Sequence, residues 1–370
     1  MTEWDPEAPY NSLSSLPPQV EIETKTILKA TVAARAALAR LDEAARTLPD
    51  PSVLINTIPL LEAQASSEIE NIVTTTDELF RWAENEAKAT DPATREALRY
   101  RSALRAGFET VIERPLSAAA AAEICSRVRG HDTRYRTGSG TYIGGPHGRR
   151  VYTPPEGREV IVTKLAEWER FLHSATDLDP LVVMALTHYQ FEAIHPFADA
   201  NGRTGRILNV LVLVQAGLLS LPILYLSRYI IRTKQQYYDL LLAVTRDGAW
   251  QGWVLYILEG VRQTADFTLA KIDGIRALQA VVHDEMAATL PRGVDADLLA
   301  ALFEQPYLRI RTVRERCRVS RPTATKWLDA LVTAGVLKEL HVGRDRLFVN
   351  HRLLDVLFAE DDQNGSTTSP

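Results

Sequence analysis

Two cysteines, Cys125 and Cys317, are all that the 370 residues contain. They stand far apart with no CxxC, which excludes a disulfide framework or a zinc knuckle and leaves both as packed thiols. Charge of one sign is also missing. Lys and Arg number 42 against 47 Asp and Glu, a formal net charge of −5, so no global field draws the chain to nucleic acid or to an anionic membrane, and any basic surface must be local. The opening residues, MTEWDPEAPYNSL, lack a basic stretch followed by an apolar one. They do not read as a secretory signal, and the expected location is cytoplasmic. The one long apolar run, Leu208 to Leu226, is interrupted by Asn209, Gln215, Gly217, Ser220 and Pro222. It reads as a buried helix ending near Gly217, and no membrane partner is expected.

What the chain has is helical spacing of apolar positions over most of its length, so the expected fold is mainly α. Helices are expected over Thr24 to Thr47, closed by Pro49 and Pro51, then over Pro92 to Ile112 and Ser117 to Arg129, with Asp91 and Ser117 as N-caps. The pattern breaks between Arg136 and Glu159, where glycine and proline alternate with β-formers and a hairpin is expected. Helical spacing resumes over Val160 to Leu172, Leu181 to Ile194, Gly202 to Gln215 and Lys234 to Val261. The expected divisions are a helical region over 1–115, a core over 116–265, a connecting helix over 266–290, a small domain over 291–358 and a disordered tail over 359–370. In the small domain, three short helices are followed by strand-like runs around Gly343, Arg344 and Asp345, the order of a winged helix-turn-helix.

The chemistry concentrates in one run, His195-Pro196-Phe197-Ala198-Asp199-Ala200-Asn201-Gly202-Arg203-Thr204-Gly205-Arg206. It is a loop that feeds a helix N-terminus, where unpaired amides and the helix dipole favour an anion, and Gly202 lets the backbone come close to it. Asn201 adds a neutral donor, and Arg203 and Arg206 add guanidinium forks suited to phosphate oxygens. Asp199 is a hard oxygen ligand suited to Mg²⁺, and His195 is a base whose ordinary pKa lies near working pH. Such a set fits phosphoryl-type transfer, in which positioning and charge neutralisation do most of the catalysis.

This run resembles the signature of the Fic family, His-x-Phe-x-Asp/Glu-Gly-Asn-Gly-Arg-x-x-Arg, and departs from it at one defining position, where Ala200 replaces glycine. The substitution raises the question of whether that position needs a positive φ. The resemblance implies a Fic-type helical bundle with a β-hairpin flap, and an activity that moves AMP from ATP onto a Ser, Thr or Tyr hydroxyl of a target protein or of the chain itself. It implies His195 as base, Phe197 as anchor of the loop, Asp199 as the Mg²⁺ ligand, and phosphate contacts from Asn201 and the amides around Gly202, Thr204 and Gly205. Arg203 and Arg206 would orient the β- and γ-phosphates. Gly202, where the Doc toxins have lysine, separates the chain from that phosphate-transferring branch. Tyr237, Tyr238 and Trp250 are implied for the adenine and ribose pocket, with core packing the competing explanation.

Upstream, Ser66-Ser67-Glu68-Ile69-Glu70-Asn71 resembles the family's inhibitory motif. Ser66 and Glu70 are four apart and share a helix face, and Asn71 tolerates a left-handed turn. The resemblance implies that Glu70 pairs with Arg206 and so denies it to ATP. The flap over 136–159 would dock an extended target segment, and a homodimer is left open. From Pro306 to Arg346 ten Lys or Arg face four Asp or Glu. Arg321, Lys326, Arg344 and Arg346 are therefore candidate nucleic-acid contacts, with a protein partner as the alternative. Two rival readings accompany the main one: removal of AMP, or use of another nucleotide donor, at the same site, and a DNA-binding regulator in which the core acts as a sensor.

Overall fold

The computed structural model describes residues 4–48, 50–83, 88–144, 149–290, 295–342 and 345–359. Pro49, the hairpin tip at 145–148, the boundary expected at 291–293, Arg344 and the tail from 360 lie outside the described residues.

The chain is mainly helical. Helices α1 (Lys25–Arg46), α2 (Ser52–Ile69), α3 (Thr76–Trp82), α4 (Pro92–Glu113) and α5 (Ala118–Arg129) precede a short hairpin of β1 (Ile143–Gly144) and β2 (Arg150–Tyr152). Next come α6 (Arg158–Ser174), α7 (Pro180–Ile194), α8 (Asn201–Gln215), α9 (Leu226–Arg232), α10 (Lys234–Asp247) and α11 (Trp250–Thr289). The chain closes with α12 (Ala296–Glu304), β3 (Tyr307–Leu308), α13 (Ile310–Arg316), α14 (Arg321–Thr333), β4 (Lys338–Val342), β5 (Asp345–Val349) and α15 (His351–Phe358). Two compact units result, Met1–Glu43 with Pro59–Asp266, and Ala44–Ile58 with Phe267–Pro370.

In the first unit the core is built on α7 and α8. Nearly every residue of α7 is buried, as is most of α8, and a helix that is apolar all round belongs at the centre of a bundle. Trp168 on α6 and Trp253 on α11 are both buried, and each donates its indole N–H to a carbonyl of α7, Thr187 at 3.0 Å and Ala185 at 2.7 Å. Those bonds let two large rings fill the core without stranding a polar atom. Helices α4 and α5 pack on each other and on α8, and α6 packs on α7. Asp91 and Ser117 accept from backbone amides at the starts of α4 and α5. No helix among the described residues is long and apolar enough to cross a membrane. The apolar run at Leu208 breaks where α8 ends at Gln215 and Gly217 turns left-handed (φ 69°).

Two elements differ from expectation. The helix expected over Lys234 to Val261 is interrupted by Gly248, whose φ of 65° ends α10. The connecting helix is the continuation of α11, which runs unbroken for 40 residues from Trp250. Apolar spacing continues across Gly248, but a glycine in the left-handed region stops the hydrogen-bond ladder whatever its neighbours favour.

In the second unit, β3, β5 and β4 form a three-stranded antiparallel sheet in the order β3-β5-β4, with Tyr307 opposite Val349 and Leu340 opposite Leu347. It stands beside α12, α13 and α14, which bury Leu298, Leu302, Val313, Leu328 and Leu331.

Candidate active site

Helix α7 ends at His195, which adopts a left-handed conformation (φ 49°, ψ 59°) and turns the chain into the loop before α8. Its imidazole is half-buried, near the Glu192 carbonyl. Burial first, and the nearby Arg136 charge second, lower its pKa to about 4, so it is a neutral acceptor at working pH. Phe197 is fully buried and stacks on Tyr135, with ring centroids 5.7 Å apart. It pins the loop from below.

The loop closes on itself through Asn201. Its Oδ1 accepts from the Phe197 amide and its Nδ2 donates to the Phe197 carbonyl, both at 2.8 Å. The residue is 2% exposed. Both polar atoms of the side chain, expected at a phosphate, hold the turn in this structure. Ala200, the departure from the family signature, has φ 64°. The position does require the left-handed region, and alanine occupies it under strain of about 1–2 kcal/mol.

Helix α8 begins at Asn201, and its first two turns carry Arg203 and Arg206, both buried. Glu70, in the turn that ends α2, lies against both. Its Oε1 accepts from Arg206 Nη2 at 2.8 Å, and its Oε2 is 2.6 Å from Arg203 Nε. Ser66 Oγ accepts from Arg206 Nε at 2.7 Å, and the Ser66 carbonyl accepts from Nη2 at 2.8 Å. Asn71 closes the turn with φ 63°, and Ile72 N–H donates back to the Ser67 carbonyl. Burial works against the charge of Arg206, but Glu70 and then Tyr237 and Tyr100 hold its pKa above the ordinary value. Arg203 is shifted down, by burial first, with Glu70 opposing the shift. Pairing of Glu70 with Arg203 was not part of the sequence reading.

Gly202 is glycine because of this clamp: a Cβ there would stand 2.7 Å from Glu70 Oε1. Gly205 is the close-packing point of α7 against α8, where a Cβ would collide with Glu192 and meet Phe191 Cδ1 at 3.3 Å. Thr204, whose amide was expected near a phosphate, has its side chain fully buried beside Cys125. Asp199 is half exposed; its Oδ1 accepts from Ala200 N at 2.6 Å and from Arg203 Nη2 at 3.2 Å. Among the described residues no group of three His, Cys, Asp or Glu could cage a metal. A lone carboxylate suits an ion held chiefly by phosphate oxygens and water, which is the habit of Mg²⁺.

Of the aromatic candidates, Tyr237 is 2% exposed and its hydroxyl is 2.9 Å from His188 Nε2, so it is core and not pocket. Tyr238 is 40% exposed and close enough to feel the charges of Arg206, Glu192 and Glu70. Trp250 packs edge-on against Tyr189, with centroids 4.8 Å apart.

Four charged residues of the site were missed from sequence. Glu62 is buried on α2 and accepts from Tyr100 Oη at 3.0 Å and Ser227 N at 2.9 Å. Glu96 of α4 pairs with Arg203. Glu192 leaves its buried Oε1 without a hydrogen-bond partner, and burial raises its pKa to about 7. Arg136 holds the carbonyls of Ile194 and His195. The available signal for Glu62 and Glu192 was a single carboxylate inside an otherwise apolar helical stretch, which seldom survives burial without a role.

In the second unit, Arg321 and Lys326 are exposed on α14 and line one shallow depression with Pro322, Thr325 and Asp329. Arg346, also expected as a nucleic-acid contact, is paired with Glu339 and Asp329, which offset its positive charge within the unit.

Comparison with known families matches residues 28–109 to the Fic/DOC family N-terminal domain and 115–213 to the Fic/DOC family. Residues 278–353 match the C-terminal domain of SoFic-like protein adenylyltransferases. Curated relatives include the protein adenylyltransferase Fic of Aedes aegypti, 31% identical over 153 residues, and that of Drosophila melanogaster, 29% identical over 151 residues. Each alignment covers 40% of this chain and 28% of the relative, so the chain spans well under a third of their length. Among solved structures, a Fic family protein from Desulfovibrio desulfuricans G20 superposes with a TM-score of 0.56 at 21% identity, covering 90% of this chain and 98% of that one. Fic-1 (residues 134–508) from C. elegans superposes with a TM-score of 0.50 at 18% identity, covering 67% and 74%. With three successive family matches over its length, a shared fold and the His195 to Arg206 motif at the head of α8, the chain belongs to the Fic family.

Proposed function

We propose that the chain is a protein adenylyltransferase held in check by Glu70. The observation that carries this reading is the seat of the Glu70 carboxylate: an anion gripped by two buried guanidiniums at a helix N-terminus, beside a neutral imidazole. Arg203, Arg206 and the first amides of α8 are the groups a polyphosphate needs, and Glu70 holds the position its oxygens would take.

In the reaction, a Ser, Thr or Tyr hydroxyl loses its proton to His195 and attacks the α-phosphorus of ATP. The new bond is O–P to AMP, the bond broken is the one to pyrophosphate, and pyrophosphate leaves held by Arg203 and Arg206. Asp199 would hold Mg²⁺, which supplies charge neutralisation to the phosphates. Tyr238 is the aromatic candidate best placed for the nucleoside. The hairpin would dock the target by main-chain pairing. With Glu70 in place, neither arginine is available to the terminal phosphates.

The test is the intact mass of the chain after incubation with ATP and Mg²⁺, comparing Glu70→Gly with Glu70→Gly, His195→Ala. An adduct of AMP mass that requires His195 supports the reading; its absence from the Glu70→Gly chain rejects it.

A second reading concerns the second unit alone. We propose that it is a winged helix whose exposed Arg321 and Lys326, on the first two turns of α14, face a nucleic-acid backbone. Gel shifts with the full chain and with Arg321→Ala, Lys326→Ala decide it; equal mobility without any shift rejects it.

A further inference from the structure

We infer that Arg136 is a positioning residue that fastens the hairpin to the backbone carrying His195, so that an acceptor docked on the hairpin and the imidazole share one rigid frame. The inference rests on the adenylyltransferase reading above.

Arg136 stands where the chain enters the hairpin and is 7% exposed. Its backbone N–H donates to the Pro196 carbonyl at 2.9 Å. Its Nε donates to the His195 carbonyl at 2.7 Å, and its Nη2 donates to the Ile194 carbonyl at 3.1 Å. The same Nη2 donates to the carbonyl of Pro155, on the return leg of the hairpin. One residue therefore holds three consecutive carbonyls, 194 to 196, and ties them to the far leg.

The need for such a clamp follows from how α7 ends. The last carbonyls of a helix have no partner in the helix, and a left-handed residue at its end aims them outward. His195 is that residue, and left-handed geometry is unfavourable for any side chain but glycine. A cation at a helix C-terminus is favourable, and a guanidinium can serve several oxygens in one plane, which an ammonium cannot. Tyr152 on β2 adds a fourth tie, donating from its hydroxyl to the Ala193 carbonyl at 2.8 Å. The carbonyls of four successive residues around His195 are thus all taken by the hairpin or its entry. Arg136 makes these contacts without facing the anion seat, where Glu70, Arg203 and Arg206 meet.

Position and charge can be separated. Arg136 and Glu70 are the charged groups that act on the His195 imidazole, the first disfavouring its protonation and the second favouring it, together with burial and the Glu192 carbonyl. Replacing Arg136 by Lys keeps the charge and loses the fork; replacing it by Gln loses both.

The experiment uses the full chain carrying Glu70→Gly and adds Arg136→Lys or Arg136→Gln. ATP affinity, the rate of AMP transfer, and the titration of His195 by NMR of histidine-labelled chain, assigned with His195→Ala, are measured. For both variants, transfer is expected to fall about 100-fold, the usual result of displacing a reacting group by about 1 Å. ATP affinity is expected to stay within about twofold, because the anion seat is untouched. The His195 pKa is expected to rise in Arg136→Gln and to stay in Arg136→Lys. Undiminished transfer by Arg136→Lys overturns the proposal, as does a loss of ATP binding in step with the rate. Should neither variant fold, Tyr152→Phe removes one tie alone: slower transfer at unchanged ATP affinity supports the shared frame, and an unchanged rate overturns it. If the parental Glu70→Gly chain transfers no AMP, the adenylyltransferase reading fails. The His195 titration then still judges Arg136, and a pKa that stays put in Arg136→Gln counts against it.

Discussion

Glu70 and Gly202 touch across the anion seat so closely that a methyl group on Gly202 would stand 2.7 Å from Glu70 Oε1 and 2.8 Å from Arg206 Nη1. The glycine is what lets an acidic side chain reach the head of α8. We predict that Gly202→Ala displaces the carboxylate and raises AMP incorporation above wild type. It should remain below Glu70→Gly, because the methyl narrows the same seat for phosphate. Labelling from α-labelled ATP checks this, and incorporation equal to wild type would show that the contact is loose.

Removal of Glu70 should also be visible as instability. Arg203 and Arg206 are 1% and 2% exposed, and breaking a buried ion pair from one side costs about 3–5 kcal/mol. Ser66 and Glu96 remain as partners, so Glu70→Gly should lower Tm by several degrees rather than unfold the chain. Saturating ATP should restore most of the loss, since ligand at 100 times Kd adds about 2.7 kcal/mol. Calorimetry with and without ATP tests this; a Tm indifferent to nucleotide contradicts it.

Ala200 sits at φ 64°. Ala200→Gly relieves left-handed strain of about 1–2 kcal/mol but adds freedom to the unfolded chain worth about 0.5–1 kcal/mol. A net gain of a few tenths to one kcal/mol is predicted, read as a Tm higher by one to a few degrees. A lower Tm would mean that the alanine methyl packs better than its backbone suffers.

Glu192 sets a pH dependence. Burial raises its pKa to about 7, with Arg206 opposing and Glu70 reinforcing the shift. A carboxyl whose folded pKa lies above its unfolded one contributes stability that is full below the unfolded pKa, near 4.5, and fades as pH rises through about 7. Glu192→Gln cannot ionise and should escape that loss, so its Tm relative to wild type should improve between pH 5 and pH 8. A difference that does not change with pH would remove Glu192 from the account.

The helices were legible because apolar spacing and caps are local. Asp91 and Ser117 could be read as N-caps, and each accepts from the amide three residues on. The motif was legible as a set of residue types, less so as a set of directions. Thr204 and Tyr237 carry groups that suit a ligand, but α8 and α10 turn them into the core. Asn201 has the right donors and uses them on Phe197. Arg136 and Glu96 escaped notice because their partners lie 40 or more residues away in sequence or are backbone carbonyls, which no pattern of side-chain types reveals. The break at Gly248 was missed for the opposite reason: the spacing on either side is good, and a single left-handed residue decides.

Arg206 cannot shed its proton at any pH the protein meets, and it lies out of water. A permanent positive charge buried in this way is costly to leave without an anion beside it. On the proposed reading, activation would be a handover between tenants, in which the carboxylate departs as the incoming polyphosphate settles. The waiting time before catalysis would be set by how fast the turn after α2 swings clear, not by how tightly nucleotide is finally held.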